Sequence, residues 1–323
     1  MPNISDRTHG ACPGVNSAVP HRSPFEGETV SSLGLGMDKM YPGSRESVFF
    51  GNVHFALDHG INLFDTAAIY GQGSNEDLLG RALADRRHQA FICTKFGHRP
   101  SQGGRPANVL ADCELSLRNL RTDVIDLFLQ HIPDADTPVE DTVGALMRLL
   151  DQGKIRHMGL SNATLETLRR AQAIYPQAAV QLEYSLWHRT PELEMLPFCR
   201  DRGIVFLAFW PLSAGFLAGR VRTPADLEKP EHRPLVVRGR LSPERLDRDL
   251  AALSVLEQIA TSNGRTPAQV ALAWMIGGAF RAVPVFGTQS PSHLAENIAA
   301  MAWSLPEGDR GLLNASFSNL DHR

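Results

Sequence analysis

Four residues of this 323-residue chain, Asp65, Tyr70, Lys95 and His131, carry groups that together could deliver a proton to a carbonyl oxygen. Reduction of a ketone or aldehyde needs a hydride at carbon and a proton at oxygen. A free phenol, with a pKa of about 10, is a weak acid for this at neutral pH. A nearby ammonium stabilises the phenolate and lowers that pKa. A carboxylate keeps the ammonium charged and fixed, and a neutral imidazole can hydrogen-bond the substrate oxygen. In this reading Tyr70 donates the proton, Lys95 tunes it, Asp65 holds Lys95 and His131 orients the carbonyl. Lysine occurs only at 39, 95, 154 and 229, and Lys95 alone directly follows an apolar run, Phe91-Ile92-Cys93-Thr94. A lysine where a buried strand ends is costly unless it is paired or used. Residue types alone leave other readings open. Asp65 and Lys95 also suit a structural ion pair, and His131 by itself suits a satisfied core histidine.

The elements that must bring these groups together are short apolar runs alternating with longer amphipathic stretches. Eight runs occur, at 32–36, 61–65, 90–94, 124–129, 157–160, 178–182, 204–209 and 282–286. Most are solidly apolar, as in strands buried on both faces. Helical patterns fill 75–84, 138–151, 165–174 and 267–276. Ser74 and Thr266 stand at cap positions, and Asp141 lies near a capping-box position. Gly60, Gly153, Gly203 and Gly264 each follow a helical stretch, where a left-handed residue commonly ends the helix.

Strand–helix alternation repeated eight times leaves a closed barrel or an open doubly wound sheet. The open sheet of a dinucleotide-binding protein predicts GxGxxG after its first strand. Here Gly34-Leu35-Gly36 runs into Met37-Asp38-Lys39, and the third glycine is missing. The expected fold is therefore α/β, a (β/α)₈ TIM barrel with eight parallel strands and long loops on its C-terminal face. It forms one domain over 29–323, preceded by a flexible N-terminal arm over the Pro-, Ser-, Gly- and His-rich 1–28. Active sites of such barrels collect at the C-terminal strand ends. Asp65, Lys95, His131, Ser161, Asn162, Gln181 and Glu183 all fall there. The aperiodic, Pro- and charge-rich segment 220–240 predicts a long loop on that face.

Bulk properties narrow the class. The formal charge of −3 gives no strong pull toward nucleic acid or anionic membrane. No apolar stretch approaches the ~18 residues a membrane span needs. The start of the chain lacks the regions of a signal peptide. Cys12, Cys93, Cys113 and Cys199 show no CxxC spacing, so free thiols in a reducing, cytoplasmic setting are expected. A metal-dependent hydrolase built on Asp65, His131 and Glu183 would want a dense ligand set such as HxH, which is absent, and no metal is expected.

The local wording goes further. Phe64-Asp65-Thr66-Ala67-Ala68-Ile69-Tyr70-Gly71 with Asn75-Glu76-Asp77-Leu78-Leu79-Gly80 resembles the first signature of the aldo-keto reductases. Thr94-Lys95-Phe96-Gly97 is similar to the family's lysine strand, and Asp126 to Asp134 to its histidine strand. Gly153-Lys154-Ile155-Arg156 followed by Gly159-Leu160-Ser161-Asn162, then Gln181-Leu182-Glu183-Tyr184-Ser185-Leu186, then Pro211-Leu212 with Gly215 and Leu217, continue the series in order. The resemblance spans about Leu33 to Met301. It implies the barrel, NADPH as cofactor with NADH as the alternative, a small-molecule carbonyl substrate, and the Tyr-Lys-Asp-His tetrad already named.

Matched position by position, the resemblance implies that Ser161, Asn162 and Gln181 hold the nicotinamide carboxamide and that Phe209 stacks on the ring. Leu212, Ser213 and Gly215 would meet the pyrophosphate, where small residues let the backbone approach. Gly287, Thr288, Gln289, His293, Glu296 and Asn297 would grip the adenosine end, with a helix near Pro291 aiming its amides at phosphate. Gln289 departs from the basic residue many relatives carry, and glutamine cannot supply a charge to a 2′-phosphate. His293, or an arginine of 220–240, is the expected substitute. Met37, Ile69, Phe96, Trp187, His188 and Trp210 would line the substrate wall, an aromatic and partly polar surface suited to a sugar-like carbonyl compound. Reduction of a conjugated C=C bond or a nucleotide-linked keto sugar, or a regulatory subunit that only binds the cofactor, are the alternatives.

Overall fold

The computed structural model describes residues 21–25, 27–38, 46–98, 103–237 and 239–318. Cys12, Lys39 and the first twenty residues of the expected arm lie outside them. The strands in chain order are β1 (His21–Phe25), β2 (Glu28–Ser31), β3 (Gly34–Gly36), β4 (Leu63–Asp65), β5 (Phe91–Phe96), β6 (Ile125–Gln130), β7 (Ile155–Ser161), β8 (Ala179–Glu183), β9 (Val205–Phe209) and β10 (Val283–Gly287). β3 to β10 pair in parallel, each with the next, and β10 closes on β3. Every expected run overlaps one barrel strand.

Side chains alternate along each barrel strand, so every second residue points inward. Leu63, Phe91, Cys93, Leu127, Leu129, Ala179, Val205, Leu207, Val283 and Val285 form the buried barrel interior. A larger apolar shell lies between the barrel and its helices. The interior is crowded enough to dictate glycine. A Cβ on Gly159 would sit 2.1 Å from the Ala179 carbonyl oxygen.

The described residues of the expected arm, 21–25 and 27–28, belong to a hairpin. β1 and β2 pair antiparallel as a hairpin at the N-terminal end of the barrel. Phe25 and Val30 join the barrel interior, and the Phe25 ring stacks on Phe91 at 4.7 Å between centroids. Asn62, just before β4, ties the hairpin down, accepting from Ser31 N at 2.7 Å and donating to Thr29 O at 2.7 Å. Two apolar residues in an otherwise polar stretch suffice, because an open barrel end has room for a plug.

Helix punctuation follows local chemistry. Gly60, Gly153, Gly203 and Gly264 are left-handed, with φ of 85°, 68°, 68° and 61°. Thr266 and Gln269 make a reciprocal capping box at Pro267–Ile276. Ser74 does not cap the helix Asn75–Ala82; its hydroxyl donates to Gly71 O instead. Asp141 joins no capping box, and Pro138 occupies the cap position. The segment 220–240 holds two short helices, Pro224–Leu227 and Arg233–Val237. Asp226 organises the first, accepting from Arg222 N, Thr223 N, Thr223 Oγ1 and Lys229 Nζ. A polar knot of this kind leaves no apolar period to read. No helix among the described residues is long and apolar enough to cross a membrane.

Candidate functional site

The strand ends deliver the site. Asp65 closes β4, Lys95 is the penultimate residue of β5, and His131 follows β6. Lys95 Nζ donates to Asp65 Oδ1 and Oδ2, both at 2.8 Å, and to Thr66 O at 2.9 Å. Lys95 is 1% exposed and Asp65 4%. Burial alone would push the lysine's pKa down, but Asp65 and then Tyr70 outweigh it, so the ammonium is held charged. An ion pair this deep is costly to desolvate and persists because every partner is satisfied.

Tyr70 opens the turn Tyr70–Gly73, in which Gly71 and Gln72 are left-handed at φ 57° and 58°. Lys95 Nζ lies 5.1 Å from the Tyr70 ring centroid. The Tyr70 and His131 rings meet edge to face, with centroids 5.8 Å apart and an interplanar angle of 83°. The expected fall of the phenol's pKa does not occur in the structure. Burial raises it more than Lys95 lowers it, with Asp65 and Asp38 adding to the rise, and it stands at about 12. The hydroxyl is thus protonated at neutral pH.

The His131 imidazole is pushed down to about 3 by burial first, then by Lys95 and His98, so it is neutral. Its Nδ1 is buried with no hydrogen-bond partner among the described residues. A bare lone pair there costs less than an unmatched N–H, which favours the tautomer with the proton on Nε2. The backbone on both sides is fixed: His131 N donates to Phe96 O at 2.9 Å, and His131 O accepts from Asn162 Nδ2 at 3.0 Å.

Two positioning residues were not singled out from the sequence. Asn75 accepts from Thr66 Oγ1 at 2.9 Å and donates to Met37 O at 3.0 Å. Glu76 accepts from Thr94 Oγ1 at 2.7 Å and from Asn119 Nδ2 at 3.1 Å. Both are buried, and burial raises the Glu76 pKa against those hydrogen bonds. They clamp the neighbours of Asp65 and Lys95. The signal available was a pair of polar residues on the inward face of a helix's first turn.

The residues expected at a nucleotide fall into two groups. After β9 the backbone is left-handed at Trp210, Ser213, Ala214 and Gly215, with φ of 54°, 48°, 49° and 94°. Non-glycine residues in that region cost about 1–3 kcal/mol each and cluster at ligand clamps. Leu212 begins the turn, and Ser213 shares a 3.0 Å hydrogen bond with Ser185 Oγ. Phe209 stands edge-on to Trp210 at 6.0 Å. On the neighbouring strand, Gly287 ends β10, and Ser290 Oγ caps the helix Pro291–Ile298 by accepting from His293 N. Asn52 Nδ2 holds Gln289 O at 3.2 Å, and Thr288 Oγ1 accepts from Ser290 N. Arg220 Nη2 donates to His293 Nδ1 at 2.9 Å, so the arginine expected from 220–240 does reach this helix.

Other residues already have internal partners. Gln181 Nε2 donates to Asp65 Oδ1 at 2.9 Å, and Glu296 Oε1 accepts from Thr266 Oγ1 at 2.7 Å. Asn297 is buried in its helix and Ser161 at the end of β7, while Asn162 follows it with φ 55°.

Three residues expected on the substrate wall are core instead. Met37 and Phe96 are 0% and 1% exposed. Each follows an inward-facing residue, Gly36 or Lys95, so the alternation of the strand turns it outward to the helical shell. Trp187 is buried against Phe216, with centroids 4.4 Å apart. Ile69 is exposed, and Trp210 and His188 are half-buried. A cavity of about 380 Å³ opens beside Phe209 and Asn162, with Glu183, His188 and Arg240 among its walls. Arg240 Nε pairs with Glu183 Oε1 at 3.3 Å, and Arg240 Nη2 donates to His188 Nε2 at 3.2 Å. Among the described residues no group of three or more His, Cys, Asp or Glu could hold a metal ion.

Known proteins share this architecture and this sequence. "Probable aldo-keto reductase 1" from Glycine max is 38% identical over 297 residues, covering 88% of this chain and 84% of its own length. "Aldo-keto reductase yakc [NADP(+)]" from Schizosaccharomyces pombe is 34% identical over 295 residues, covering 87% and 86%. The solved structure of a glycerol dehydrogenase from Gluconobacter oxydans, 28% identical, superposes with a TM-score of 0.84 over 94% of this chain and 97% of that one. The Aldo/keto reductase family model matches residues 33–315, and this chain belongs to that family.

Proposed function

We propose that the protein is an NADPH-dependent reductase of small aldehydes or ketones. One observation carries the reading: a charged, fully satisfied Lys95–Asp65 pair lies beneath a protonated phenol that meets a neutral imidazole edge to face. Tyr70 gives its proton to the carbonyl oxygen. Lys95 stabilises the phenolate left behind, and Asp65 keeps Lys95 in place. His131, with its proton on Nε2, hydrogen-bonds the same oxygen and fixes its approach. A bound nicotinamide supplies the hydride. The phenol is protonated before the reaction begins, and Lys95, which pulls its pKa down against burial, stabilises the phenolate as the proton leaves.

The chain has a cradle that fits such a cofactor. The left-handed turn at Ser213, Ala214 and Gly215 is closed by Ser213 N to Trp210 O and Gly215 N to Leu212 O, and its small side chains leave room for a phosphate to approach the backbone. Phe209 offers an aromatic face at the end of β9, with Ser161, Asn162 and Gln181 nearby on β7 and β8 for a carboxamide. NADPH is favoured over NADH because Arg220 and His293 together place a cation at the start of Pro291–Ile298, where Gln289 offers none. The S. pombe relative is named for NADP(+). A hydroxylated, sugar-like substrate suits the polar wall of Glu183, Arg240 and His188. The buried free thiols Cys93, Cys113 and Cys199 suit a reducing cytoplasm.

The test is oxidation of NADPH in the presence of glyceraldehyde, followed by absorbance. Tyr70→Phe is expected to lose about 10²–10⁴-fold in turnover while still binding NADPH, in line with removal of a general acid. Unchanged turnover in that variant would remove Tyr70 from the role.

A further inference from the structure

We infer that His98 is a positioning residue for the reaction, holding the His131 ring by ring-to-ring contact where no described residue hydrogen-bonds its Nδ1. The inference rests on the role proposed above for His131. An imidazole that must aim one nitrogen at a substrate is normally steered through its other nitrogen, which donates to or accepts from a fixed partner. His131 has no such handle, since its Nδ1 is buried without a hydrogen-bond partner among the described residues. Backbone hydrogen bonds fix where the residue starts but not how its ring turns.

Two ring contacts remain to set that orientation. Tyr70 meets the ring edge to face at 5.8 Å. His98 lies against it at 4.6 Å between centroids, with an interplanar angle of 35°. Both contacts restrict how the imidazole can turn about its side-chain bonds. His98 itself is exposed, two residues beyond the end of β5, so the core does not demand an aromatic residue there. It follows Lys95 by three residues, which ties the stack to the same strand that carries the ammonium.

The experiment uses the full chain with NADPH and glyceraldehyde, comparing His98→Ala, His98→Phe and His131→Gln. Stacking of this kind is worth about one order of magnitude at most in an equilibrium constant. His98→Ala is therefore expected to lower kcat about tenfold, with KM for NADPH and the NADPH dissociation constant from fluorescence quenching unchanged. His98→Phe, which keeps a flat ring and removes both nitrogens, is expected to restore kcat to within about twofold of wild type. Full activity in His98→Ala overturns the inference, as does a His98→Phe variant as slow as His98→Ala. His131→Gln separates the two levels of the argument. If it is slow while His98→Ala is fully active, only the positioning role fails; if it is itself fully active, the role of His131 in the proposed function fails as well.

Discussion

The two ends of the barrel are built on opposite principles. At the N-terminal end a short hairpin presses Phe25 and Val30 into the barrel, and the rings of Phe25, Phe91 and His157 close it. At the C-terminal end the interior positions change from apolar to ionisable within one alternation: Leu63 gives way to Asp65, and Cys93 to Lys95. Backbone strain is divided in the same way. Of the seven non-glycine residues with positive φ among the described residues, Gln72, Asn162, Trp210, Ser213 and Ala214 lie at the C-terminal end. Only Arg121 and Arg281 lie elsewhere, in connections that lead back to strand starts. One end lowers the free energy of the fold, and the other holds groups in arrangements that raise it. The comparison teaches that the apolar end gives the barrel the stability to tolerate the polar one.

The sharpest way to break this contrast is at Lys95. Lys95→Met leaves Asp65 buried without its ammonium, with only neutral side-chain donors, Gln181 and Cys93, beside it among the described residues. Removal of one partner from a buried pair costs about 3–5 kcal/mol, so the denaturation midpoint should fall markedly. Turnover should collapse as well, because the phenolate loses the charge beside it. A variant that is stable and active would show that the pair is neither structurally nor chemically required. At the opposite end, Phe25→Ala should cost about 3–4 kcal/mol of stability through the cavity it opens. Its kcat and KM at a temperature where it is folded should match wild type. A change in kcat from that variant would mean that the two ends are coupled rather than merely stacked.

The same division explains what could be read from the sequence. The eight strands were legible because residues buried on both faces leave solid apolar runs, and the polar residues ending those runs marked the site. Strand limits shifted where polarity misled. The run at 90–94 stops before Lys95, but β5 continues through Lys95 to Phe96 because the lysine points inward to Asp65. The facing of Met37 and Phe96 was missed because a list of residues near strand ends ignores the alternation that turns every second one away. Lys95 does pull the Tyr70 pKa down as expected, but spacing reveals that it is near without revealing that desolvation of the phenol outweighs it. The hairpin and the Glu183–Arg240 pair depend on contacts between distant segments, which no local pattern records.

The smallest effect expected is also the one most specific to the polar end. His131 has a pKa of about 3 in the folded chain, against 6.5 for an unperturbed histidine. Between those values the unfolded chain binds a proton that the native site refuses. Stability is therefore unaffected by this group above about pH 6.5 and falls as pH drops below it, by about 1.4 kcal/mol per unit, until the folded site also titrates. At pH 5 the loss amounts to about 2 kcal/mol. His131→Gln removes the titration, so the difference in unfolding free energy between pH 7 and pH 5 should be smaller in the variant by about that amount. Equal pH dependence in the two proteins would mean that the imidazole is solvated and protonates freely. The buried Nδ1 and the neutral hydrogen-bond donor assigned to His131 would then both be wrong.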